Sequence, residues 1–130
     1  MKKQFRYKKK ADGTIYENNV PCYPDMRLYQ EIIFLSNFYD GFYCVENVIP
    51  YYTPLIDGVK IGRHIFWSNL QLQKIKVKPR GNFSDARKLA NSMGFDYERL
   101  DGCNKLRTLR NCLEPEIATY IFEVLKEASK

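Results

Sequence analysis

The sequence predicts a mixed α/β fold of two or three strands with flanking helices. Two segments, near residues 25–36 and 114–128, carry apolar side chains at helical spacing. Between them lie two short aromatic and β-branched runs, GFYCV and RHIFWSNLQL, of the kind that pair as strands. At 130 residues the chain has the length of one domain, and with 45% hydrophobic and 28% charged residues it is globular in composition. The order helix, strand, loop, strand, helices is half of an α/β sandwich, in which both faces of the strand around Val45 need cover.

The elements follow in chain order. Residues 1–22 hold a basic run and then ADGTIYENNVPC, rich in turn formers and without hydrophobic period, so a flexible N-terminal segment is expected there. Order begins at Tyr23-Pro24-Asp25. Asp25 starts a helix whose apolar face is Met26, Leu28, Tyr29, Ile32, Ile33 and Leu35, and which closes between Asn37 and Gly41. GFYCV (41–45) reads as a buried strand. The segment from Asn47 to Gly62, with two prolines and glycines, reads as a loop. RHIFWSNLQL is the second strand. A short helix is expected from an N-cap at Ser84 to Gly94. Ile117, Tyr120, Ile121, Val124, Leu125 and Ala128 then mark a last helix over 114–128, with Pro115 well placed in its first turn.

Charge is unevenly placed. The net charge is +6, and Lys2, Lys3, Arg6, Lys8, Lys9 and Lys10 account for all of it. The excess is therefore a tail able to meet phosphates, on an otherwise neutral chain. A second basic stretch, Lys74, Lys76, Lys78 and Arg80, alternates with Ile75 and Val77. Apolar runs such as Ile32–Leu35 are far shorter than the roughly 20 residues of a membrane helix, and Met1–Lys10 has no signal-peptide pattern. No membrane association and a cytoplasmic location are expected. Cys22, Cys44, Cys103 and Cys112 form no CxxC pair and accompany a single histidine, which favours buried thiols over a zinc site or a disulfide framework.

The segment VENVIPYYTPLI (45–56) carries the chemistry. Glu46 and Asn47 directly follow the expected buried strand, at the end where open α/β sheets bind ligands. As ordinary residues they are a surface acid and a turn former.

At these residues the chain resembles the DNA cytosine-5 methyltransferases. VENV resembles that family's ENV motif, DMRLYQEIIFL its preceding helix, and IGRHIFWSN the strand with its following basic motif. NKLRTLRNCLEPEIATYIFEVL resembles the terminal motif, where an asparagine and a proline open the last helix. The wording is similar to phage and mobile-element enzymes with very short target-recognition regions, some of them parts of restriction–modification systems, and it spans about residues 23–125. The resemblance implies the C-terminal half of a Rossmann-like methyltransferase domain over 23–130, with a reduced recognition region at about 72–102. It implies double-stranded DNA and S-adenosyl-L-methionine as ligands. The target cytosine is flipped from the duplex, a cysteine thiolate adds to carbon 6, and carbon 5 takes the methyl group. Glu46 then meets ring nitrogen 3 and the exocyclic amine, Asn47 shapes the strand end, and Arg63 or His64 contacts the base carbonyl. His64 equally reads as a strand residue packed near Trp67. Asn111 and Leu113 fall in the cofactor part of the terminal motif, and Lys74, Lys76, Lys78 and Arg80 are placed to follow DNA phosphates, with Asn82 and Arg87 nearer base edges.

Two family features have no counterpart. No glycine cluster for the cofactor exists in the 130 residues, and Pro21-Cys22 stands too near the helix before ENV to match the nucleophile motif. Arg110 occupies a place where the family usually has glycine. The expectation is a C-terminal fragment or subunit whose nucleophile lies upstream of Met1, inactive alone and completed by an N-terminal half on another chain or by self-association. An inactive remnant, or a small basic DNA-binding or regulatory protein, is the alternative.

Overall fold

A computed structural model describes residues 7–9, 15–17, 20–22, 24–78, 81, 84–100 and 104–130, with the three stretches before residue 24 described by backbone pairing alone. Those stretches are strands, β1 (Tyr7–Lys9), β2 (Ile15–Glu17) and β3 (Val20–Cys22), paired antiparallel in the order β1-β2-β3. These strands lie within the stretch 1–22 that the sequence reads as a flexible segment. Glu17 pairs with Val20 at the end of the β2–β3 register. Pro21 and Cys22 belong to β3, and Arg80, Asn82 and Cys103 lie outside the described residues.

The second sheet is the centre of the molecule's α/β part. Helix α1 (Met26–Phe38) begins where Asp25 accepts a hydrogen bond from the Arg27 amide, and the Arg27 guanidinium beside it holds the Asp25 carboxyl below the usual range. It leads to β4 (Cys44–Val48), β5 (Val59–Ile61) and β6 (His64–Ser68), all antiparallel in the order β4-β6-β5. The two-residue turn Gly62-Arg63 joins β5 to β6, and Gly62 takes the positive φ of 59° that such a turn requires. The strand therefore covers 44–48 rather than 41–45, and β5 lies within the stretch expected to be loop. Pairing with all five residues of β6 draws Glu46 and Asn47 into the ladder.

Alternation sorts the side chains between two layers. Ile65 and Trp67 of β6 and Val45 of β4 pack against Tyr29 and Ile32 of α1. Phe66 and Ile61 pack on the opposite face against Ile117 of α4 (Pro115–Ala128). The loop 49–58 is fastened to the first layer, because Trp67 Nε1 donates to the Ile56 carbonyl at 2.8 Å and the Leu55 amide donates to the Tyr29 hydroxyl at 3.2 Å. The chain after β6 is fastened to the second, because the Gln73 amide donates to the Tyr120 hydroxyl at 2.8 Å.

A smaller helical cluster follows. α2 (Ala86–Ser92) is capped by Asp85, one residue after the expected Ser84, because its carboxylate accepts from the Arg87 and Lys88 amides. The helix stops at Met93, and Gly94 turns the chain with φ 74°. α3 (Lys105–Asn111) was not distinguished as a separate helix in the sequence. Leu89, Ala90 and Leu109 form the buried centre of this cluster. The described residues thus form a mixed α/β fold with four α-helices.

Candidate functional site

Glu46 and His64 meet because of register. His64 pairs with Val48, and Glu46 pairs with Phe66, so Glu46 and His64 sit diagonally on the α4 face of the sheet. His64 Nδ1 donates to Glu46 Oε1. The imidazole is wholly buried, while the Glu46 side chain keeps 37% of its surface open. On the other side His64 Nε2 lies 3.5 Å from Oε2 of Glu114, the residue that opens α4. At 3.5 Å this is a close polar approach, longer than an ordinary N–H···O hydrogen bond. The result is a carboxylate–imidazole–carboxylate chain running from the start of α4 to the middle of β4.

Sequence reasoning named Glu46 and His64 but missed Glu114, treated only as a helix boundary. Its signal is a carboxylate at the helix N-terminus directly before Pro115, where the helix dipole favours negative charge. His64 does not pack beside Trp67: the two side chains project from opposite faces of β6, and the His64 ring instead lies 6.4 Å from that of Phe66. Asn47 projects from the face opposite Glu46. Arg63 is exposed in the β5–β6 turn, and its carbonyl accepts from the Ile49 amide at 2.9 Å.

Beside Glu46, between β4 and α4, runs a groove of about 300 Å³. Phe42, Cys44, Phe66, Leu113, Ile121 and Phe122 line it, and among the described residues Glu46 is the one charged group in its wall. Leu113 is therefore at the groove, whereas Asn111 is exposed at the end of α3 and absent from the lining. Burial raises the Cys44 thiol above its ordinary value, partly offset by a hydrogen bond with Ser68 and reinforced by the Glu46 charge. Since the thiolate is the nucleophile, Cys44 is expected to alkylate at least tenfold more slowly at pH 8 in the folded chain than in urea, with iodoacetamide adducts mapped by mass spectrometry. Equal rates would contradict a half-buried thiol.

Lys74, Lys76 and Lys78 are exposed, while Ile75 and Val77 between them pack against the Phe66–Ile117 cluster. The alternation anticipated in the sequence is present without a regular strand. Arg87 pairs with Glu98 at 2.6 Å and lies 4.6 Å from the centre of the Tyr97 ring, so it is engaged within the helical cluster. Among the described residues no group of His, Cys, Asp and Glu is arranged for a metal ion, and no helix is long and apolar enough to cross a membrane.

The described residues combine a mixed α/β fold with a carboxylate–imidazole–carboxylate arrangement, its imidazole buried and Glu46 partly open, beside an apolar groove. Compared with family models, curated proteins and solved structures, the chain matches none of them.

Proposed function

We propose that this chain is the C-terminal portion of a DNA cytosine-5 methyltransferase, contributing the cytosine-binding glutamate to a composite site completed by an N-terminal half. The observation that carries this reading is convergence. Glu46 of VENV, His64 of GRHIFWSN and Glu114 of the terminal block are far apart in sequence yet form one continuous chain of contacts. Blocks that resemble one enzyme only by chance have no reason to meet at their polar residues. The β4–β6 pair runs antiparallel, unlike the mostly parallel sheet of a Rossmann-like domain, so the reading rests on the site residues and not on the sheet.

In this reading Glu46 meets cytosine nitrogen 3 and the exocyclic amine through the carboxylate edge that His64 leaves open. A carboxyl there supplies the proton that balances addition at carbon 6. His64, buried and bonded to Glu46, is a positioning residue. Arg63, exposed one residue earlier, is the base-carbonyl partner, and Asn47 supports the strand from its other face. Lys74, Lys76 and Lys78 follow the phosphate backbone, with Arg80 continuing the row in sequence.

S-adenosyl-L-methionine supplies the methyl group in such a reaction. Leu113 and the apolar wall suit a flat ring, but among the described lining residues there is no cation for the cofactor's carboxylate, and Glu46 is itself an anion. The described residues alone do not hold it. Tritiated S-adenosylmethionine and cytosine-containing duplex provide the test. The isolated chain should transfer no methyl group. Transfer should appear on adding a polypeptide that carries the glycine-rich and Pro-Cys motifs. Methylation by the chain alone would overturn the reading that these 130 residues lack the nucleophile. Salt-dependent duplex binding with no transfer in the mixture would favour the alternative, a small basic DNA-binding or regulatory protein or an inactive remnant, with the lysine row as its main feature.

A further inference from the structure

We propose that the groove between β4 and α4 is a binding site for a small amine, with one apolar ring, one protonated nitrogen and no carboxylate. The groove's own walls point to this ligand, whether or not a second polypeptide completes an enzyme. At about 300 Å³ it lies at the lower end of small-molecule sites, which run to roughly 300–1,000 Å³, so it suits a ligand of one ring. Phe66 forms its floor and is 1% exposed, whereas Phe42, before β4, and Phe122, on α4, are 46% and 68% exposed. Aromatic walls of this kind take an apolar ring and also attract a cation.

The polar groups of the described lining are few, and most are engaged. The Tyr43 amide donates to Asn69 Oδ1 at 3.0 Å, and the Tyr43 carbonyl accepts from the Ser68 hydroxyl. The Cys44 thiol is hydrogen-bonded with Ser68.

Glu46 differs. Its Oε1 accepts from His64 Nδ1, while Oε2 has no hydrogen-bond partner among the described residues, and the side chain is 37% open. His64 is wholly buried and keeps the carboxylate in place, so a ligand meets an acceptor that is already ordered. The groove thus offers a fixed, partly open carboxylate edge on an otherwise apolar surface.

Charge decides the class of ligand. A carboxylate would bring like charge to Glu46, with no cation in the described wall to offset it. A purely apolar body strips water from Oε2 and returns no hydrogen bond, and a neutral hydroxyl returns a donor without opposite charge. An ammonium supplies both, and the charge-assisted bond is the stronger one. It takes the edge of Glu46 that the proposed function gives to a cytosine, so the two ligands exclude each other there.

The test titrates the full chain with 2-phenylethylamine, 2-phenylethanol and 3-phenylpropionate, which share a ring and differ in the terminal group. Binding is followed by amide chemical shifts and by the rate at which iodoacetamide alkylates Cys44 in the groove wall. The amine should bind at least tenfold more tightly than the alcohol, the carboxylate should bind most weakly, and Cys44 alkylation should slow in step with amine occupancy. Glu46→Gln should bring the amine within about twofold of the alcohol while leaving the alcohol's affinity unchanged. Equal binding of amine and alcohol by the natural chain, or no binding of either, overturns the proposal. So does amine binding that leaves Cys44 alkylation unchanged, or a preference for the amine that survives Glu46→Gln. Binding is read on the chain alone, so its failure leaves methyl transfer by a completed enzyme standing, and failure of methyl transfer leaves the amine site standing.

Discussion

Glu46→Gln is expected to lower methyl transfer by the completed enzyme about 10²–10⁴-fold, the range usually lost with a general acid or base. The substitution is chosen to isolate the proton. Glutamine keeps the length of the side chain, and its carbonyl oxygen still accepts from His64 Nδ1, so the diagonal contact across β4 and β6 survives. Its amide can also still donate toward ring nitrogen 3. What it lacks is a transferable proton at the moment carbon 6 is attacked. The loss should fall on kcat, with duplex binding and the urea midpoint nearly unchanged, because the side chain is partly open to solvent and the His64 contact is kept. Glu46→Asp separates positioning from chemistry: it keeps a carboxyl but draws it back from His64, and should also lose most activity. A fall of less than tenfold for Glu46→Gln would remove Glu46 from the reaction.

The two long helices were legible because their signals are local. Asp25 and Pro115 mark starts, and apolar spacing marks the buried stripes that hold Tyr29 and Ile32 in α1 and Ile117 in α4. The strands were less legible because their limits are set by partners distant in sequence. Gly41 to Tyr43 have strand-like composition but no partner in the ladder, whereas Glu46 and Asn47 look like loop residues and are paired with Phe66 and Ile65. Val59–Ile61 is too short to show a period and exists through its pairing with β6. The hairpin strands before residue 24 are likewise three residues each.

The site was half legible for the same reason. Glu46 and His64 stand out as polar residues within apolar runs. Their contact depends on register, and a shift of one residue would have sent them to opposite faces. Nothing local ties Glu114 to His64, since the approach arises from packing α4 against the sheet through Ile117 and Phe66. Asn111 shows the limit of a motif without geometry: it belongs to the block that resembles the cofactor motif, yet α3 leaves it exposed beyond the groove.

Phe66→Ala should then be the most damaging single truncation for the fold, costing about 3–5 kcal/mol. Phe66 is 1% exposed at the centre of β6, packs with Ile61 and Ile117, and floors the groove beside Glu46. Removing the ring opens a cavity between the sheet and α4, where rigid strands on one side and a helix on the other limit collapse. Domains of this size are stable by only about 5–15 kcal/mol, so the loss is a large share of the total. With a urea m value of roughly 1–3 kcal/mol per molar, the midpoint should fall by on the order of 2 M. Phe122→Ser, on the solvent side of the same helix and 68% exposed, should change stability by less than about 0.5 kcal/mol. The contrast matters because both phenylalanines line the groove, one as the structural floor and one as open wall. Equal destabilisation by the two substitutions would mean that Phe122 is covered in the isolated chain. Negligible destabilisation by Phe66→Ala would mean that α4 does not rest on the sheet, and the approach of Glu114 to His64 would lose its structural basis.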